Sequence, residues 1–498
     1  MELYDRSIAE LQDALAAGTT TAEALTTAYL ARIEALDRQG PTLRAMIETN
    51  PEAKRIAADL DRERHERGPR GPLHGIPLVL KDNLDTGDAM TTTAGSLALE
   101  GHRAAADAFA VARLRAAGAI LLGKANLSEW ANFRSTRSSS GWSSRGGQCR
   151  NPYVLDRSPC GSSSGSGVAV AAGFAAAAIG TETDGSVVCP ASTNGLVGVK
   201  PTIGLISRTG IVPIAASQDT AGPMTRTVED AAILLTAMAG ADPADPATQA
   251  APGGAATDYR ALLREDALQA ARIGVARAYF GRHEGVDAVI EGALVRLRDL
   301  GAELVEVVEL NLPPEAREAE RTVMLCEFKA GLNAYLASHP TAPARSLADV
   351  IAHNERHAKR AMPWFRQELL VMAQATGGLE DPAYEAARAA SLRYAREEGI
   401  DRALHDHRLD AIVAPTVSPA WVIDPIVGDR GLGGCSQPAA IAGYPHVSVP
   451  AGYLHGLPVG LSLFGGPFQE GRLLAYAHAF ERATRVWRPP TFAAHAGG

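Results

Sequence analysis

The sequence predicts an α/β fold, a single large body whose central mixed β-sheet is covered by helices on both faces. Segments with helical apolar spacing alternate with short apolar or alternating runs along the whole chain, as in a sheet layered with helices. A hydrophobic share of 46% beside 21% charged residues is globular and argues against disorder. No internal repeat breaks the alternation.

Within residues 1–70, Ser7 with Glu10 and Thr20 with Glu23 read as capping boxes opening two helices. GIPLVLKD at 75–82 reads as a short buried strand ending in Lys81. Residues 107–124 predict a helix stopped by Gly118 and then a strand over 119–122. Residues 240–256 are loop by composition and a candidate boundary between two lobes. Beyond them, 273–276 is strand-like, and Val286, Val289, Ile290, Ala293, Leu294, Leu297 and Leu300 recur at helical spacing. Residues 303–310 alternate like a half-buried strand, and LDAIVAP and PVGLSLFG near the C-terminus predict two more. Between them, 311–400 is a mostly helical, variable segment expected on the substrate side. Its Tyr335, Met362, Trp364, Phe365 and Met372 follow no periodic stripe, so pocket cover and core packing both fit them.

A net charge of −8 disfavours an extended nucleic-acid surface, which needs clustered Lys and Arg. Cys149, Cys160, Cys189, Cys326 and Cys435 are too scattered for a disulfide framework and form no CxxC pair, so reduced thiols are expected. The N-terminus shows no apolar leader core, and the apolar run 168–180 is too short and alanine-rich to span a bilayer. The expectation is a cytoplasmic monomer or homo-oligomer with no nucleic-acid or membrane partner.

The chemistry concentrates in SPCGSSSGSG at 158–167. A linker reading fails because the stretch runs directly into the apolar helix that follows. A nucleophile elbow at Gly161–Gly165 fails because no buried strand precedes it, and Pro159 is a poor strand residue. The third reading adds the next Gly/Ser turn, GTETDGS at 180–186, and Lys81 at its strand end. One lysine and two serines, Ser162 and Ser186, suffice for acyl transfer without histidine: a serine attacks, a neutral lysine takes its proton, and backbone N–H groups hold the oxyanion.

LHGIPLVLKDNLDT, GAILLGKANLSEWA, SPCGSSSGSGVAVAAG and GTETDGSVVCPASTNGLVGVKPTIGLISRTGIVP together resemble the amidase signature family, densely over 72–240 and again at 440–474. That resemblance implies the amidase signature fold for 1–498 and assigns Ser186 as nucleophile, Ser162 as the bridging serine after a cis peptide bond, and Lys81 as ultimate base. It places the oxyanion hole at the N–H groups of Thr183, Asp184, Gly185 and Ser186, with Ser163 supporting, and implies no cofactor or metal. The substrate it implies is a small-molecule or peptide amide, most like the peptide amidase branch. A carbamate or ester hydrolase on the same triad, or the A subunit of a glutamyl-tRNA amidotransferase, stays open. Three positions depart from the family pattern: Asp184 for a glycine, Glu182 for Asp, and Val188 for Arg. Supporting hydrogen bonds must therefore be arranged differently. Elsewhere, HNERH at 353–357 lacks the zincin order of residues, His74 reads as structural, and Cys160 and Cys189 as small packing residues.

Overall fold

The computed structural model describes residues 3–251, 257–307, 310 and 312–497. Its strands are β1 (Met46–Thr49), β2 (Pro77–Lys81), β3 (Ile120–Ala125), β4 (Trp142–Ser143), β5 (Gly147–Gln148), β6 (Ala177–Glu182), β7 (Val197–Lys200), β8 (Thr220–Thr225), β9 (Arg272–Ala276), β10 (Glu303–Val307), β11 (Ala411–Pro415), β12 (His446–Leu454) and β13 (Leu457–Phe464). β4 and β5 pair only with each other. The other eleven form one mixed sheet in the order β1-β3-β2-β6-β8-β7-β12-β13-β11-β9-β10. β2 lies parallel to both β3 and β6, and β9 parallel to both β10 and β11. Parallel neighbours require crossovers, and the helix Phe109–Ala116 supplies the one from β2 to β3.

Alternation along the strands separates two apolar layers. Ala411 and Val413 of β11 face one, with Ile290 and Leu294 of the helix Glu284–Asp299. Ile412 and Ala414 face the other, with Ile400 and Ala403 beyond them. Period-two side chains thus bury both faces of the sheet under helices.

Two expectations change. Ser7 and Glu10 do form a reciprocal capping box, but the second helix, Ala22–Ile33, is capped by Thr21 rather than Thr20. The Asp61 carboxylate accepts the N–H groups of Ala22 and Glu23, the second of which a cap at Thr20 would have received. Residues 252–256, within the predicted loop, lie outside the described residues. The rest of 240–256 marks no lobe boundary, because Leu234 before it and Leu268 and Ile273 after it share one apolar core. The predicted strand 303–310 is present as β10 over Glu303–Val307, and its residues 308 and 309 lie outside the described residues.

Of the five irregular apolar residues, Tyr335, Met362 and Phe365 are buried while Trp364 and Met372 are exposed. Phe365 packs edge-on against Trp142, with the Arg134 guanidinium over its ring. All five cysteines are buried free thiols. Among the described residues, no helix is long and apolar enough to cross a membrane.

Candidate active site

β2 and β6 run side by side in parallel with Leu80 opposite Ile179, so their C-terminal ends open on one edge, where α/β sheets hold ligands. Lys81, the last residue of β2, is fully buried there. Its Nζ lies 2.7 Å from Ser162 Oγ, 3.0 Å from Thr181 O and 2.9 Å from Thr181 Oγ1. Asn83 Nδ2 donates to the same Thr181 hydroxyl at 2.9 Å and fixes it. Burial pulls Lys81 down from 10.5 to about 7, opposed by the negative charges of Asp219 and Glu182.

The Ser/Gly stretch is an irregular loop that enters the helix Ser164–Ala171, which in turn leads into β6. The peptide bond from Gly161 to Ser162 is cis. Ser128 N–H donates to Ser162 O at 3.1 Å, and Ser164 Oγ to Cys160 O at 2.6 Å. Ser163 ties the parts together. Its hydroxyl donates to Thr181 O at 3.0 Å and accepts Thr181 N–H at 3.2 Å, while its own N–H donates to Ser186 O at 3.1 Å. The loop carrying Ser162 and the turn carrying Ser186 are therefore joined directly through the backbone.

That turn needs glycine at 185. Its φ is +76°, and a Cβ there would stand 2.8 Å from Ser436 Oγ and 2.9 Å from Cys189 Sγ. Glu182 holds the turn from inside: one carboxylate oxygen accepts Gly185 N–H at 2.9 Å, the other accepts Val187 and Val188 N–H at 2.7 and 3.0 Å. This accounts for Glu182 and Val188 together. The longer acid reaches the start of the helix Val188–Thr193, where Val188 contributes its N–H, while its side chain packs with Cys160, Cys189 and Val417. Burial raises Glu182, opposed by Lys200 and by these N–H donors.

Gly185 N–H is thus given to Glu182, whereas the N–H groups of Asp184 and Ser186 go to no acceptor among the described residues. Ser186 is 8% exposed, and its hydroxyl also has no partner among them.

Beside this turn stands an acidic wall. Ser436 Oγ donates to Asp184 Oδ1 at 2.5 Å, and burial raises Asp184 to about 6. Gln218 and Gln437 donate to the two oxygens of Glu320 at 2.9 and 2.6 Å. Burial raises Glu320 to about 8, with the Asp184 charge adding to the effect. Thr183 Oγ1 donates to Asp219 Oδ1 at 2.5 Å, and burial raises Asp219 to about 6.

The family model for amidases matches residues 24–474. The chain belongs to the amidase family. It is similar to a protein of Arabidopsis thaliana named as a probable amidase, at 41% identity over 99% of this chain and 92% of that protein. The A subunit of the glutamyl-tRNA(Gln) amidotransferase of Halorhodospira halophila is 38% identical, over 97% of this chain and 98% of that one. The crystal structure of native peptide amidase from Stenotrophomonas maltophilia superposes with a TM-score of 0.92 at 55% identity, covering 98% of each chain. The amidase is accordingly a hydrolase acting on amides, structurally close to peptide amidase.

Other sequence candidates fall away from this amidase site. His74 Nε2 meets Leu60 O at 2.9 Å while its Nδ1 accepts Arg70 N–H, so the ring is spent on backbone. His353 and His357 stack on each other, 4.5 Å between ring centroids. A cavity of about 860 Å³ lined by Tyr259, Arg264, Asp410 and Tyr476 contains none of the residues described above. Sequence reasoning missed Thr181, Asn83, Asp219, Glu320 and Ser436. Thr181 lies in β6 one residue beyond the position level with Lys81, a register that only the folded sheet reveals.

Proposed function

We propose that this amidase hydrolyses C-terminal carboxamides of peptides through an acyl-Ser186 intermediate, with Lys81 as ultimate base and Ser162 as the bridging serine. The observation that carries the reading is the set of three oxygen neighbours around the buried Lys81 Nζ. A neutral amine has two N–H bonds and one lone pair. Thr181 O and Thr181 Oγ1 take the two N–H bonds, which leaves the lone pair for the Ser162 hydroxyl proton. Burial supplies the neutral form near pH 7.

As Ser186 Oγ bonds to the carboxamide carbon, its proton passes to Ser162 Oγ and the Ser162 proton passes to Lys81. The N–H groups of Asp184 and Ser186, with Thr183 alongside, face the developing oxyanion; Gly185, committed to Glu182, is left out of that set. The relay then runs backwards: Lys81 returns a proton through Ser162 to the departing nitrogen, the C–N bond breaks, and ammonia leaves. Water, deprotonated by the same relay, opens the acyl-serine ester and yields the free carboxylate. Asp184 and Asp219, ionised at pH 7, repel that product and disfavour substrates that already end in a carboxylate, whereas Glu320, raised to about 8, is mostly neutral there.

The similarity to a solved peptide amidase supports the peptide amide over aryl amides, esters and carbamates. The similarity to the amidotransferase component keeps a glutamine-hydrolysing role as the second reading. The test is turnover by the purified chain alone, read as ammonia release from peptide amides and glutamine and as alcohol release from an ester and a carbamate. Wild type is expected to release ammonia from peptide amides, and Ser186→Ala to lose both turnover and labelling by a fluorophosphonate. Intact turnover in Ser186→Ala would sink the acyl-serine assignment, and activity confined to glutamine would favour the amidotransferase reading.

A further inference from the structure

One buried histidine ring has no hydrogen-bond partner among the described residues. His102 is 1% exposed, and neither Nδ1 nor Nε2 has a hydrogen-bond partner. Side chains of this kind sit against something that satisfies them. One of its ring nitrogens, an oxygen of Asp85 and a nitrogen of His339 all lie within 4.8 Å of one another. Some point therefore lies within about 2.8 Å of all three, and closure by under about an ångström reaches the 2.0–2.1 Å of zinc–imidazole bonds.

The surroundings of these three groups are ordered as a ligand shell. His339 Nδ1 lies 2.8 Å from Tyr335 O, which can only accept, so Nδ1 carries hydrogen and Nε2 points to Asp85 Oδ2 at 3.0 Å. Tyr335 Oη donates to the other Asp85 oxygen at 2.7 Å and stacks on the His339 ring, 4.1 Å between centroids. A backbone carbonyl behind a ligating histidine and a hydroxyl behind a ligating carboxylate are the usual outer partners of a metal centre. The positive charge of Lys124 acts on this group from a side chain that donates to Leu84 O and Thr92 Oγ1.

We propose that Asp85, His102 and His339 bind one divalent transition metal of the zinc class, with solvent in the fourth position. Two imidazoles and one carboxylate suit zinc, nickel or copper rather than magnesium or calcium, which take oxygen ligands. The three ligands come from three separate segments of the chain. Asp85 follows β2, His102 precedes the helix Phe109–Ala116, and His339 ends the long helix Pro314–Ser338. The ion would clamp that helix to the segment leading away from Lys81, outside the proposed proton relay.

The test uses the full chain, stripped by chelator and titrated with Zn²⁺ against a chromophoric chelator, with the Co²⁺ visible spectrum and thermal unfolding as independent readouts. Expected are one equivalent bound, a tetrahedral Co²⁺ spectrum, and a Zn²⁺-dependent rise in Tm. His102→Ala and His339→Ala should abolish all three, and Tyr335→Phe should weaken binding by about 10–100-fold. Wild type without stoichiometric binding overturns the proposal, whatever the variants do. So does unchanged affinity in His102→Ala, or loss of binding in His353→Ala, which would move the ion to the stacked pair.

Discussion

The position of Lys81 on the pH scale can be read directly in rates. At about 7 rather than 10.5, roughly half of the amine is neutral at pH 7. An ordinary lysine would be neutral about once in three thousand molecules there, so burial raises the active base about a thousandfold, equivalent to about 4 kcal/mol. With an uncharged peptide amide, kcat/KM should fall about tenfold per pH unit below about 7 and level off above it. Asp219 provides the sign. Its negative charge favours the ammonium form, so Asp219→Asn should move the acid limb to lower pH. Glu320→Gln, which removes a group outside the influences on Lys81, should leave the limb in place. The assay is initial-rate kcat/KM from pH 5 to 10 for wild type and both variants. Rates still climbing tenfold per unit at pH 9, or a limb moved upward by Asp219→Asn, would refute a lysine made neutral by burial.

Two further outcomes follow from the turn before Ser186. Glu182→Gln replaces an oxygen that receives N–H groups with an amide that presents its own, which should cost about 1–3 kcal/mol in a urea melt and lower kcat with little change in KM. Asp184→Asn removes a negative charge beside the nucleophile. Relative kcat/KM for peptides with an acidic acyl-side residue should rise about tenfold, the size of one charge repulsion of about 1.4 kcal/mol across roughly 12 Å at an effective dielectric near 20. A competition assay between acidic and neutral peptide amides reads this directly.

What could be read from the chain before its structure was local. The apolar run before Lys81, Gly118 as a helix stop and the Ser/Gly loop entering a helix are patterns of neighbours, and each appears where its spacing predicts. The misplaced cap at Thr21 shows the limit even at short range, because the competing acceptor, Asp61, comes from the next helix. Strand order was illegible, since β7 pairs with β12 across about half the chain. The support of the site was equally hidden. Ser436 reaches Asp184 from 252 residues away and Asp219 reaches Thr183 from 36, contacts that leave no periodicity. Glu182 was singled out as unusual, yet its three N–H partners depend on how the backbone of 185–188 curls around it.

The distribution of these groups along the chain has an evolutionary corollary. Lys81, Ser162, Thr181, Glu182 and Ser186 all come from one continuous stretch, whereas Glu320, Ser436 and Gln437 arrive from distant segments. On the proposed mechanism, mutations in the latter segments can alter the wall beside Ser186 while the proposed relay of Lys81, Ser162 and Ser186 stays untouched. New preferences can then be acquired by drift or laboratory selection without first passing through an inactive ancestor.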